Sequence, residues 1–158
     1  MIKLYYTFSN PESETFIKDS LKQFTGKDSF VINRTKNGKP YTADIEFSLS
    51  HTDGLTVCVV SEKTVGVDCE KIRSVYNKER ILSRFLKEKE KNVSNKEFFI
   101  KWTAFESRVK FFGEKIVDCP SVPDGNIITQ TFELGEFIVS VSSEQKTEII
   151  KENLYGSF

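Results

Sequence analysis

The stretch from Ser94 to Gly113 constrains the fold more than any other part of the chain. Phe98, Trp102, Phe105, Val109 and Phe112 recur there at three- and four-residue steps and fall on one face of a helix. Ser94-Asn95-Lys96-Glu97 has the spacing of a capping box, and Gly113 is placed to end the last turn. An apolar stripe of that breadth is stable only when another layer of structure covers it. Glu106 and Lys110 follow Trp102 at successive four-residue steps. They therefore line the edge of the stripe, where polar heads can reach a cleft while the helix stays anchored.

The rest of the chain alternates strand-like and helical segments. Ile2 to Phe8 reads as a strand, and Asn10-Pro11-Glu12 supplies an N-cap, a first-turn proline and a first-turn acid. The helix that follows carries Phe16, Ile17, Leu21 and Phe24 and stops at Gly26. Phe30-Val31-Ile32 reads as a second strand and Asn37-Gly38 as a turn. Phe47 to Ser50 and Leu55 to Val60 read as strands around Asp53-Gly54, and with Val65 to Glu70 they are expected to form a hairpin series. Ile81, Leu82, Phe85 and Leu86 make a helical stripe in a charged segment. Pro120, Pro123 and Asp124-Gly125-Asn126 mark a loop, and Ile127 to Phe132 with Phe137 to Ser142 read as a closing hairpin. Glu148 to Leu154 is ambiguous. Each half holds strands and at least one helix, which permits two similar subdomains meeting near Ser61 to Thr64 with a ligand cleft between them.

At 158 residues and 38% hydrophobic content the chain can bury a real core as one compact unit or two small subdomains. Lysine plus arginine (23) balance aspartate plus glutamate (23), so no overall charge favours nucleic acid, and an anion site must be a local cluster. Cys58, Cys69 and Cys119 are odd in number and widely spaced, which fits reduced thiols rather than a disulfide framework or a zinc site. The first eight residues are too short and polar for a signal peptide, and no apolar run approaches a membrane span. The expectation is a soluble, cytoplasmic protein.

The chemistry is concentrated in Val65-Gly66-Val67-Asp68-Cys69-Glu70. Strand alternation puts Asp68 and Glu70 on one face with Gly66, where the missing side chain leaves room for a ligand or its phosphate, although a bulge is an equally ordinary reason for a strand glycine. Glu106 could complete an oxygen set for magnesium, which takes few protein carboxylates and keeps positions for water and phosphate. Each part has an ordinary reading too: strand-end acids often face water or pair with lysine, and Glu106 with Lys110 is a common helix-surface pair. Ser50 and the single histidine, His51, end an alternating strand and offer a hydroxyl and a ring donor, although loop histidines commonly serve as plain surface groups. Gly38-Lys39-Pro40, with Arg34 and Lys36 ahead of it, is a small basic loop that reads equally as a solvated turn. No glycine-rich Walker or dinucleotide fingerprint is present.

Taken in order, Gly38-Lys39-Pro40, Phe47-Ser48-Leu49-Ser50-His51, Val65-Gly66-Val67-Asp68-Cys69-Glu70 and Trp102-Thr103-Ala104-Phe105-Glu106-Ser107-Arg108-Val109-Lys110 resemble the motifs of the 4'-phosphopantetheinyl transferase superfamily, in particular its surfactin-type single-chain members. The resemblance implies an α+β fold of two similar pseudo-twofold-related subdomains, residues 1–62 and 63–158, each a small mainly antiparallel sheet with packed helices. It implies transfer of the phosphopantetheine arm of coenzyme A to a serine of an apo acyl or peptidyl carrier protein, with release of adenosine 3',5'-bisphosphate, by a monomer using Mg2+. By position, Asp68 and Glu70 resemble the magnesium ligands, and Glu106 a further ligand or the base for the carrier serine. Lys110 resembles the lysine on the coenzyme A phosphates, Lys39 and Pro40 the adenine-nucleotide contacts, and Ser50 and His51 the phosphate contacts. Arg73, Lys78, Arg80 and Arg84 are expected to meet an acidic carrier surface. Many members carry lysine where this chain has Phe105, so a cationic contact with phosphate is either lost or supplied by Arg108 or Lys101. The chain is also shorter than typical members, which leaves Arg34 and Lys36 as candidates for the 3'-phosphate. A non-catalytic binder of coenzyme A or a carrier, and a magnesium-dependent nucleotide pyrophosphate hydrolase, are the other functions such a site would serve.

Overall fold

The structure is a computed structural model that describes residues 1–113 and 126–156. Strand β1 (Ile2–Thr7) leads into helix α1 (Ser13–Thr25), which Gly26 ends in the left-handed conformation. The N-cap is Glu12, not Asn10: the Glu12 carboxylate accepts from the Thr15 amide at 2.9 Å, which places Pro11 before the helix. Asn10 is drawn away by better partners. Its amide donates to the carbonyls of Thr52 and Leu55 and its oxygen accepts from the Gly54 amide, so it clamps the turn of the next hairpin.

Phe30 to Ile32 is not a strand. Phe30 and Ile32 pack on the core under α1 while Val31 is exposed, so the alternation is real, but among the described residues no strand lies alongside to pair with it. The pairing begins one residue later, where β2 (Asn33–Arg34) and β3 (Pro40–Tyr41) form a two-stranded ribbon around Gly38. β4 (Glu46–Thr52) and β5 (Leu55–Ser61) make the expected hairpin at Asp53-Gly54. β6 (Val65–Lys71) leaves the expected hairpin series and enters a second sheet. The reason is burial: Val65, Val67 and Cys69 share a core cluster with Leu55, Val57 and Val59, a face-to-face contact that an in-sheet neighbour would not make.

After β6 come a short helix α2 (Lys78–Ile81), a π-helical turn (Leu82–Leu86), helix α3 (Asn95–Phe111), the hairpin β7 (Ile128–Leu134) and β8 (Phe137–Ser143), and β9 (Ile149–Asn153). The loop expected at Pro120, Pro123 and Asp124-Gly125 and the third cysteine, Cys119, lie outside the described residues. The first sheet has the order β4-β5-β1-β9 and the second β6-β8-β7. In the first sheet β1 is antiparallel to β5, in the second β6 is antiparallel to β8, and β9 joins the first sheet parallel to β1. Inward-facing valines of the two sheets form the central core. Phe16, Ile17 and Leu21 of α1 cover the outer face of the first sheet, where Tyr5, Phe47, Cys58 and Val60 lie. Among the described residues no helix is long and apolar enough to cross a membrane.

Helix α3 covers the outer face of the second sheet in an unexpected orientation. Ser94 caps it as anticipated, accepting from the Glu97 amide. Its aromatic stripe, however, packs largely sideways: Phe98, Phe99 and Trp102 meet Ile81, Leu82 and Leu86, and Phe105 meets Phe85 and Trp102. Phe112 falls outside the stripe at 39% exposure, as the C-cap residue. The face turned to the sheet is small and polar, carrying Thr103 and Ser107.

Candidate active site

Two seams of hydroxyl groups position the acidic cluster. In the first, the edges of β4 and β6 are joined through serine side chains. The Val67 amide donates to Ser48 Oγ at 3.1 Å and the Cys69 amide to Ser50 Oγ at 3.2 Å. Ser50 in turn donates to Asp68 Oδ1 at 3.2 Å. In the second seam, Thr103 Oγ1 donates to the Phe99 carbonyl and Ser107 Oγ to the Ala104 carbonyl. A hydroxyl has one proton, so these two must accept from Ser140 (2.8 Å) and Ser142 (2.7 Å), which accept from Thr131 and Thr129. The chains of hydroxyls run from the sheet to the helix and hold α3 close against it.

Gly66 marks how close. The space beside it, expected to receive a ligand, is taken by the helix itself: a Cβ there would sit 2.2 Å from the Ser107 carbonyl oxygen and 2.5 Å from the Phe111 nitrogen. This approach sets Glu106, on α3, beside the acids of β6. Asp68, Glu70 and Glu106 each offer a carboxylate oxygen, and all three oxygens lie within 4.8 Å of one another. Lys110, one helical turn beyond Glu106, donates to Asp68 Oδ1 at 3.3 Å and to the Leu49 carbonyl at 3.4 Å. With three N–H groups it keeps one for a further acceptor.

The electrostatics follow from three acids meeting two cations in a half-dry cleft. Burial, the Asp68 charge and a hydrogen bond to Asp68 push the Glu106 carboxyl up to about 10. Burial also raises Glu70, against the pull of Arg73, whose guanidinium meets Glu70 Oε2 at 2.8 Å. Asp68 is 3% exposed, and its Oδ2 is buried with no N–H or hydroxyl donor among the described residues. Such an oxygen needs either a proton shared with Glu106 or a cation. The donor set, three carboxylates with no histidine or thiol in the cluster among the described residues, suits a hard oxygen-binding divalent ion such as magnesium.

Asp68, Glu106, Lys110, Ser50, His51, Pro40 and Arg34 line one cleft of about 410 Å³, within the usual range for small-molecule sites. Lys39 and Pro40 line an adjoining cavity of about 210 Å³ that shares Lys110 and Leu49 with the first. Lys39 Nζ donates to the Lys110 carbonyl at 3.2 Å, and burial holds its pKa below the usual lysine value. His51 is exposed at the rim, and Lys36 lies exposed on the β2–β3 turn.

Lys101 is held by Glu88 and Glu90 and takes no part in the cleft. Phe105 is 2% exposed within the aromatic cluster, so that position anchors the helix and does not face the cleft. Of the expected carrier-facing cations, Arg73 is tied to Glu70, Lys78 bonds Asn95, and Arg84 lies over Phe85. Sequence reasoning missed the hydroxyl seams, although signals existed. Serines alternate with apolar residues in Phe47-Ser48-Leu49-Ser50 and Val139-Ser140-Val141-Ser142, and Thr103 and Ser107 stand one turn apart.

No family model matches the chain. It is 32% identical over 96 residues to a curated protein, 4'-phosphopantetheinyl transferase gsp of Aneurinibacillus migulanus. The matched region takes in 55% of this chain, and the chain spans 40% of that relative's length. The likeness is to the superfamily that the four sequence motifs resemble.

Proposed function

We propose that the chain transfers the 4'-phosphopantetheine arm of coenzyme A to a serine of an apo acyl or peptidyl carrier protein, with Mg2+ held by Asp68, Glu70 and Glu106. One observation carries the reading: the carboxylates of Asp68, Glu70 and Glu106 cluster beside Lys110, Asp68, Glu106 and Lys110 line one cleft, and a buried Asp68 oxygen has no N–H or hydroxyl donor among the described residues. The named relative supports the reaction class. The two halves, residues 1–62 and 63–158, form the similar pseudo-twofold subdomains of such an enzyme in this reading, with β9 lent to the first. Both halves of the cleft come from one chain, so it acts as a monomer. The buried free thiols Cys58 and Cys69 suit a reducing cytoplasm.

Bound magnesium would neutralise pyrophosphate charge at the cleft. The chain's own groups then have distinct tasks. Lys110 turns its remaining N–H to a phosphate oxygen, with its other two bonds fixing the head group. Lys39 and Pro40 hold the nucleotide end, and Ser50 and His51 lie where the phosphates pass. Glu106, whose carboxyl is pushed up by burial and the Asp68 charge, stands as the ligand or the acceptor for the carrier serine proton. The serine oxygen attacks phosphorus, and adenosine 3',5'-bisphosphate departs without a covalent enzyme intermediate.

The test is to incubate the protein with magnesium, coenzyme A and an apo carrier and to weigh the carrier. A gain of one phosphopantetheine is expected, and Asp68→Ala and Glu106→Gln should abolish it without unfolding the protein. Cleavage of coenzyme A without a gain would replace the reading with hydrolysis, and bound but intact coenzyme A would replace it with binding alone.

A further inference from the structure

Ser50 stands in the cleft with its hydroxyl fully committed. It is 5% exposed, and its oxygen accepts from the Cys69 amide at 3.2 Å and faces the Cys69 thiol at 3.5 Å. Its single proton points to Asp68 Oδ1 at 3.2 Å. A hydroxyl that donates to Asp68 has no proton left for a phosphate. Ser48 provides the comparison within the same strand. It makes the matching bond to β6, from the Val67 amide at 3.1 Å, and among the described residues its hydroxyl meets no acid of the cluster.

We infer that Ser50 is a positioning residue that orients Asp68 for a divalent cation. Ser50 and Lys110 both donate to Oδ1 and fix the plane of the carboxylate. Oδ2, buried and with no N–H or hydroxyl donor among the described residues, is thereby left as the oxygen available to the cation in place of a proton shared with Glu106. Two anchors matter because one donor leaves a carboxylate free to rotate about its last bond, whereas a backbone-held serine sets its direction from the rigid edge of β6. The seam between the sheets thus does two jobs at Ser50 and one at Ser48. The phosphates then meet Lys110 and His51 in place of the Ser50 hydroxyl. This inference rests on the cation site of the proposed function.

The experiment titrates Mn2+, as a paramagnetic stand-in for magnesium, into the metal-free full chain and reads free Mn2+ by electron paramagnetic resonance. It compares the wild type with Ser50→Ala, Ser50→Cys, Ser50→Thr and Ser48→Ala. Removal of an outer partner of a metal ligand typically weakens affinity about 10- to 100-fold. That loss is expected for Ser50→Ala, and also for Ser50→Cys, which keeps the side-chain size but has a weak donor. Ser50→Thr keeps the hydroxyl and should restore binding, and Ser48→Ala should bind as the wild type does. Wild-type affinity in the Ser50→Ala or Ser50→Cys protein would overturn the inference, as would an equal loss in Ser48→Ala. Absence of Mn2+ binding by the wild type would instead overturn the cation site itself.

Discussion

Replacing Gly66 by alanine tests whether the approach of α3 to β6 builds the site. The backbone of Gly66 is not in the left-handed region, so alanine is conformationally acceptable there and would even gain about 0.4–1 kcal/mol from a less flexible unfolded chain. Space decides against it. The added Cβ would lie 2.2 Å from the Ser107 carbonyl oxygen and 2.5 Å from the Phe111 nitrogen, and ordinary contact starts at 3.4 Å. Both obstacles are backbone atoms of the helix, so no side-chain rotation relieves them, and α3 must withdraw by about 1.2 Å. Withdrawal on that scale stretches the Ser107–Ser142 bond from 2.7 Å to about 3.9 Å, beyond hydrogen-bonding range. Overpacking of this kind costs about 1–3 kcal/mol. For a chain of this size that lowers the melting temperature by about 2–12 °C. The more telling readout is at the site, because Glu106 rides on the displaced helix, and a shift of about 1 Å can cost 100-fold in rate. Thermal unfolding and the rate of carrier modification by the same Gly66→Ala protein give both numbers, and Mn2+ affinity reports on the position of Glu106. Wild-type stability together with wild-type affinity would show that the contact does not set the position of Glu106.

The metal-free protein should lose stability as pH rises from about 4.5 towards 10, because the folded state keeps the Glu106 proton across that window and the unfolded state does not. Magnesium should offset the loss by replacing that proton, so the gain in melting temperature on adding it should grow with pH; a pH-independent gain would contradict the assignment. Ser140→Ala breaks the chain from Thr131 to Thr103 in the middle and leaves buried hydroxyl groups without their partner. A loss of about 1–3 kcal/mol in chemical denaturation is expected, and a loss below about 0.5 kcal/mol would mean that this seam contributes little.

Local pattern determined the elements that depend on neighbours in sequence. The ends of α3 were legible because Ser94 and Gly113 act on adjacent amides and carbonyls, and the β4–β5 turn because Gly54 adopts a positive φ of 87°. The ordered motifs likewise named Asp68, Glu70, Glu106 and Lys110, and strand alternation put the two β6 acids on one face. Tertiary partners decided the rest. Asn10 left its expected cap for four partners more than forty residues away, and Phe30 to Ile32 had the alternation of a strand without a neighbour among the described residues. Whether Gly66 makes room for a ligand or for a helix is invisible in the sequence, since both uses ask only for a missing Cβ. The same holds for Ser50, whose proton could serve a phosphate or Asp68 until the fold brought β4 and β6 edge to edge. The sequence by itself supplied the reactive groups and the faces they occupy. Only the packing of α3 on a floor of small hydroxyl side chains, a contact between distant segments, brought the three carboxylates within 4.8 Å of one another.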